Sequence, residues 1–265
     1  GNLSSGTAYE YLSLKVPRRA TLTLGVDATH IERDLTEVPP FIDGSGSQGK
    51  VSPKFGLVLT PTSWLTGRAA YFEGLRKSVL EDLSSLEPTL VGGINQRFND
   101  LSGTESRNLG FGLDVKDANT LYAGAQYTRR HIIDSFGNVS DFAIWEGEST
   151  IPSTPRTYGF EDSHANSDTL RGYVYSVLTP KSVLTADSLY EHYAETDPEI
   201  RADTTTDSVI DTQRYRFGYK YFLGKHFSVG TQATYRDQQL SQTDDPNGFW
   251  LFDLGVNYRF SEQHG

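Results

Sequence analysis

The chain is predicted to be all-β, an antiparallel transmembrane β-barrel with about 11–12 strands present. Three observations carry this. Apolar and polar residues alternate with period two in segment after segment. The connections between those segments alternate between short and long. The chain has 36% hydrophobic residues and no run of 18 or more apolar ones, which excludes transmembrane helices. A barrel strand escapes that test, because about 9–11 residues with one polar face suffice to span a bilayer.

The elements follow in order. Thr7–Val16 is a weaker strand. In Thr21–Arg33, Leu22, Leu24, Val26 and Ala28 share a face opposite Thr23, Gly25, Asp27 and Thr29. Lys50–Thr60 and Leu65–Gly74 flank a Pro61 turn. In Ser106–Lys116, Leu109, Phe111, Leu113 and Val115 oppose Asn108, Gly110, Gly112, Asp114 and Lys116. Thr120–Arg130 sets Leu121, Ala123, Ala125 and Tyr127 against Gly124, Gln126 and Thr128. Thr169–Leu178 and Ser182–Tyr193 are weaker. Arg214–Phe222 sets Tyr215, Phe217, Tyr219 and Tyr221 against Arg214, Arg216, Gly218 and Lys220. His226–Arg236 places Phe227, Val229, Thr231, Ala233 and Tyr235 on one face and Ser228, Gly230, Gln232, Thr234 and Arg236 on the other. Gly248–Phe260 is the clearest: Trp250, Phe252, Leu254, Val256, Tyr258 and Phe260 oppose Leu251, Asp253, Gly255, Asn257 and Arg259.

Short turns are expected at Pro17–Arg19, Pro61–Trp64, Asp117–Asn119, Thr179–Lys181 and Leu223–Lys225. Long loops are expected at Asp34–Gly49, Leu75–Glu105, His131–Asp168, Ala194–Asp211 and Ser241–Asn247, rich in Gly, Pro, Ser, Asp and Thr. Bacterial barrels put short turns on the periplasmic side and long loops outside. Val91–Phe98 reads as an extra strand or as the base of a loop. The turn at Asp117–Asn119 keeps its parity only in the second case. The first and last strands then both descend toward the periplasm. A complete bacterial barrel has an even strand number with both ends inside. Residues 1–265 are therefore expected to be one barrel domain, incomplete at the N-terminus alone or at both termini.

The net charge of −10 argues against nucleic-acid binding. The absence of Cys suits an exported bacterial protein. No phosphate loop, zinc spacing or dinucleotide fingerprint occurs, and no cofactor or metal site is expected.

Two groups of side chains stand out. Arg68, Asp114, Lys116, Gln126, Arg214, Arg216, Lys220, Gln232, Arg236, Asp253, Asn257 and Arg259 fall on polar faces, as candidates for lining a lumen that attracts anionic solutes. The alternative is a solvated interior whose charges pair among themselves. Trp64, Tyr71, Tyr127, Tyr215, Tyr221, Tyr235, Trp250 and Tyr258, with Tyr9, Tyr11, Tyr173, Tyr175 and Phe227, are candidates for aromatic girdles at the headgroup level. The acidic positions Asp197, Glu199, Asp203, Asp207, Asp211, Asp244 and Asp245 fit no EF-hand spacing and read as solvated loops or cation bridges to lipopolysaccharide. Asp162-Ser163-His164 sits in an expected loop, and residues so close in sequence rarely assemble a catalytic triad.

Ser52-Pro53-Lys54-Phe55-Gly56-Leu57, the Pro61 turn, Arg68-Ala69-Ala70-Tyr71-Phe72-Glu73-Gly74-Leu75-Arg76 and Leu86-Glu87-Pro88 follow one another. This run resembles the barrel of TonB-dependent outer-membrane receptors. Thr89–Gly112, with Asn95-Gln96-Arg97-Phe98-Asn99-Asp100 and Gly103-Thr104-Glu105-Ser106, is similar to the barrels that close large tetratricopeptide-repeat outer-membrane proteins. The resemblance covers residues 50–130 well and the rest by pattern. The receptors' plug and energy-coupling box have no counterpart in these residues, and receptor chains normally continue through another hairpin to a terminal aromatic residue. The resemblance implies a bacterial cell outer-membrane location and solute transport. Its implied partners are outer-membrane lipid, lipopolysaccharide and periplasmic energy-coupling or secretion proteins. An alternative is the barrel anchor or export channel of a repeat-containing scaffold, for instance for polysaccharide. A barrel enzyme is a weaker alternative, since no His and carboxylate groups converge in the sequence pattern, and the expectation is a non-enzyme.

Overall fold

The computed structural model describes residues 2–17, 19–34, 46–76, 88, 90–96, 103–117, 120–134, 163–196, 208–224, 226–240 and 248–259. Thirteen strands occur among them: β1 (Asn2–Val16), β2 (Ala20–Asp34), β3 (Gly46–Thr62), β4 (Leu65–Leu75), β5 (Leu90–Val91), β6 (Ile94–Asn95), β7 (Thr104–Asp117), β8 (Leu121–Asp134), β9 (Ser163–Thr179), β10 (Ser182–Thr196), β11 (Ser208–Leu223), β12 (Phe227–Leu240) and β13 (Phe249–Tyr258). Eleven of them form one antiparallel sheet in the order β1-β2-β3-β4-β7-β8-β9-β10-β11-β12-β13. Every spatial neighbour in it is the next large strand in sequence. β5 and β6 pair only with each other. The segment from Val91 therefore belongs to the loop between β4 and β7, as the turn parity required.

The expected loops are shorter than their composition suggested. β3 takes in Gly46–Gly49, β8 takes in His131–Asp134, and β9 takes in Ser163–Asp168. β10 and β11 claim Ala194–Thr196 and Ser208–Asp211. His164 and Asp211 are thus strand residues, which corrects their placement in loops. The reason is physical. Alternation marks a strand only where one face must be apolar, whereas the hydrogen-bonded ladder continues as long as a partner strand runs alongside. Expected loop and terminal positions Asp162, Asp197, Glu199, Asp203, Asp207, Asp244, Asp245, Phe260 and Ser261–Gly265 lie outside the described residues, as do Leu86, Glu87 and Arg97–Asp100 of the quoted motifs.

The sheet has two unlike faces. Residues directly opposite one another share a face, so the register carries each face from strand to strand. One face, called inner here, receives the β5–β6 hairpin. The cross-strand row Ser52, Asp27 and Tyr9 belongs to it, and so does the row Asn108, Arg130 and Ser167. The outer face carries large apolar side chains open to the surroundings: Phe111 is 49% exposed, Leu113 52%, and Phe252 and Leu254 77%. Apolar exposure spread over a whole sheet face is foreign to a soluble monomer and marks a surface covered by something else. The buried apolar cluster is small, comprising Ala70, Phe72, Val91 and Ile94, and it lies where the hairpin meets the inner face.

Candidate functional site

The hairpin turns at Gly92 and Gly93, with φ of 55° and 75°. Two successive positive φ values make a type I′ turn, which glycine adopts without strain. The turn leaves Val91 and Ile94 fully buried against Ala70 and Phe72, with Tyr11 packed alongside. The sheet is bare where the hairpin lands. A Cβ on Gly56 would fall 2.3 Å from the Gly92 nitrogen, and one on Gly110 would fall 2.7 Å from Ile94 Cδ1. Burying each of these aliphatic side chains contributes about 1.5–3 kcal/mol.

Polar latches hold the hairpin on both flanks. On one side, Arg68 Nη1 donates to the Gly93 carbonyl at 2.6 Å. Its Nη2 donates to Asp114 Oδ1 at 3.1 Å and to the Tyr173 hydroxyl at 2.9 Å, and its Nε lies 2.8 Å from Asp114 Oδ2. Tyr173 donates to Asp114 as well. On the other side, Lys54 Nζ pairs with Asp27 at 2.8 Å and donates to Gln96 Oε1 at 2.8 Å. Gln96 Nε2 in turn donates to the Pro88 carbonyl at 2.6 Å. Lys54 and Asp27 are almost wholly buried. Above the hairpin, where the β3–β4 ladder ends at Lys54 and Phe72, Lys50 Nζ joins Glu105 at 2.7 Å and Glu73 at 3.2 Å. Arg76, just past β4, is buried, and this desolvation draws its guanidinium below its usual pKa.

The register puts the polar candidates on the inner face together but not at one point. Arg68, Asp114 and Gln126 converge on the hairpin, with Gln126 Oε1 accepting from Arg68 at 3.4 Å. Arg214 belongs to a second group, where Asp187 accepts from Arg171 Nε at 2.8 Å and from Arg214 Nη2 at 3.3 Å. Arg216 stands opposite Asp187 in the ladder. Lys116 lies at the short-turn end, and its backbone nitrogen donates to the Trp64 carbonyl. Lys220, Arg236 and Asn257 are spread over β11–β13. Gln232 Nε2 donates to Asp253 at 3.3 Å. Arg259 follows β13 and is tied through its backbone to His226.

Of the aromatic candidates, Tyr71, Tyr127, Tyr215, Tyr221, Tyr235, Trp250, Tyr258 and Phe227 share the outer face. Trp64 sits in the turn between β3 and β4. Tyr9, Tyr11, Tyr173 and Tyr175 are on the inner face, which corrects their girdle assignment. Their strands have weaker alternation, so ring type stood in for face. Tyr173 and Tyr175 stack with Tyr122, and Tyr11 meets the hairpin.

Sequence reasoning missed Lys54, Asp27, Gln96, Arg130, Arg171 and Asp187. The usable signal was Val91-Gly92-Gly93-Ile94, since Gly-Gly between two β-branched residues is a two-residue hairpin signature. With the hairpin recognised, Gly56 and Gly110 read as its landing place. His131 and His164 stack 5.8 Å apart, and His192 Nδ1 lies 2.8 Å from Asp211. Among the described residues, no three His, Cys, Asp or Glu side chains gather as a metal-binding group.

A family model described as TonB dependent receptor-like, beta-barrel matches residues 4–264. No curated protein matches the chain.

Proposed function

The chain belongs to the TonB-dependent receptor-like β-barrel family, and from that premise we propose that it forms part of the wall of a bacterial outer-membrane barrel that passes or binds a solute. In this reading the outer face meets lipid, the aromatic rings on it sit near the headgroups, and the inner face lines the lumen. The observation that carries the reading is the contrast between faces: exposed Phe252 and Leu254 on one, buried ion pairs such as Lys54–Asp27 on the other. Backbone groups in lipid must be paired, and an antiparallel wall pairs them strand by strand. The hairpin then acts as a fixed constriction that decides how much of the lumen is open. The periplasmic end, where the short turns gather, is the place for an energy-coupling or secretion partner.

Two measurements test this. The native polypeptide should fractionate with the outer membrane and migrate faster on gels unheated than boiled. Reconstituted into liposomes, it should admit small solutes faster when residues Leu90–Gln96 are replaced by a short Gly-Ser linker. Recovery from the soluble fraction would sink the barrel reading, and unchanged flux would sink the constriction.

A further inference from the structure

On the short-turn side of the hairpin the inner face carries a patch of aromatic rings. Tyr122 on β8 stands directly opposite Tyr175 on β9, and Tyr173 lies two residues before Tyr175 on the same face. The ring centroids are 5.7 Å apart for Tyr122 and Tyr173, 6.1 Å for Tyr122 and Tyr175, and 6.0 Å for Tyr173 and Tyr175. Three nearly equal separations make a triangle, so the rings form a patch instead of a column. Tyr122 is 40% exposed and Tyr175 is 38% exposed. Ring surface left open on the polar face of the sheet carries a hydration cost that a bound molecule removes.

The patch is held in place from behind. Arg68, which latches the hairpin turn, donates to the Tyr173 hydroxyl at 2.9 Å, and that hydroxyl donates to Asp114. The Arg171 guanidinium sits 5.3 Å from the centroid of the Tyr173 ring. Gly124, opposite Tyr173 in the ladder, makes the seat: a Cβ there would fall 2.7 Å from Tyr173 Cζ. From the patch one cross-strand row runs through Tyr122, Tyr175, Thr185, Gly218, Gln232 and Asp253. The wall is low in the middle of that row, where Thr185 folds over Gly218 and donates to its carbonyl at 3.4 Å. Its hydroxyl lies 2.5 Å from the place of a Gly218 Cβ. At the far end Gln232 Nε2 donates to Asp253 at 3.3 Å. Three strand spacings, about 14 Å, separate Tyr175 from Gln232.

We infer that this row is a binding track for a neutral oligosaccharide, with one pyranose ring on Tyr122 and Tyr175 and the hydroxyls of another ring at Gln232 and Asp253. The inference rests on the reading of the inner face as a lumen, and it names the class of solute that face selects. A pyranose with equatorial hydroxyls presents its axial C–H bonds as a weakly positive face, which complements the negative face of an aromatic ring. Its hydroxyls each donate and accept, and an amide beside a carboxylate meets both needs. Apolar surface with a few placed polar groups is the general form of a small-molecule site. The distance from rings to amide calls for several linked sugars, and the low wall at Thr185 and Gly218 leaves room for them to lie across the strands.

The test is calorimetric titration of the native polypeptide with cellotriose, mannitol and phenol. It is extracted from membranes in an amine-oxide detergent, so that no detergent sugar competes. Cellotriose binds, and mannitol, which has the hydroxyls without a ring face, does not. Tyr175→Phe keeps the affinity, whereas Tyr175→Leu, which keeps apolar bulk and loses the ring, weakens it about tenfold. Gln232→Ala, remote from the hairpin latches, weakens it about fivefold, the usual loss for one hydrogen bond. Where Tyr175→Leu fails to fold, seen as loss of the faster migration of unheated protein, Gln232→Ala carries the test. Mannitol binding as tightly as cellotriose overturns the inference, and so does phenol binding in its place. Absence of any binding overturns it too, as does an affinity unmoved by either folded variant. Fractionation of the same cells separates the two ideas: a protein in the outer membrane that binds no cellotriose removes the track and leaves the barrel reading in place. A protein found elsewhere removes the barrel reading, and the titration still judges the tyrosine patch.

Discussion

Asp114 and Arg68 show how one residue pair can fix an insertion. Asp114 accepts from Arg68 and from Tyr173, and Arg68 passes a bond on to the Gly93 carbonyl. Removing one partner of such a pair leaves a charge without its counterion in a poorly hydrated place. Asp114→Ala should therefore cost about 3–5 kcal/mol, read as a lowered urea midpoint for unfolding from detergent. Asp253→Ala, at an exposed inner-face position, should leave the midpoint nearly unchanged. Gly56→Val tests shape instead of charge. The new side chain would occupy the space of Gly92, whose nitrogen lies 2.3 Å from the Cβ position. The hairpin should then leave its seat and become cleavable by added thermolysin at Ile94, which is fully buried in the unsubstituted protein.

At the scale of the element, the strands were legible in proportion to how strictly their two faces differ. β7 and β13 could be read almost residue by residue, because Leu109–Val115 and Phe252–Tyr258 alternate without a break. β9 and β10 were under-read: their upper parts, Ser163–Asp168 and Ala194–Thr196, carry no apolar side to alternate with. The hairpin was placed rightly in a loop, yet its seat was invisible. It depends on glycines at positions 56 and 110, distant in sequence, presenting bare backbone at the same spot. The buried Lys54–Asp27 pair was hidden for a similar reason, since its partners come from different strands. A face rule also makes a sharp prediction. Phe111→Arg, on the outer stripe, should cost about 2–4 kcal/mol for a lipid-facing position. Gln232→Arg on the inner face should cost far less. Parallel unfolding titrations of the two variants in lipid vesicles compare them directly, and equal costs would contradict the assignment of faces.

For the molecule as a whole, the two edge strands matter most. β1 and β13 each have a neighbour on one side only among the described residues. Eleven strands alternating in direction leave those two running the same way. We propose that the sheet is one arc of a larger barrel, with further strands between these edges, because exposed ladder groups cannot be left in lipid. The native polypeptide in an outer-membrane fraction should then migrate, once boiled, as a chain clearly longer than 265 residues. A band of the size of these 265 residues would instead require β1 and β13 to meet in parallel.

The order of the strands also bears on how such a wall is built. The hairpin lies between β4 and β7 in sequence and packs on β3, β4 and β7, its own near neighbours along the chain. These three strands supply most of the cover over Val91 and Ile94, and Tyr11 of β1 adds a contact from further away in the chain. Local contacts form early because they close small loops, so this quarter of the sheet is the natural nucleus for assembly. Ile94→Ala should accordingly slow refolding into micelles more than it speeds unfolding, the mark of a side chain already seated in the transition state. The piece that narrows the finished passage would then also be the piece around which the passage is raised.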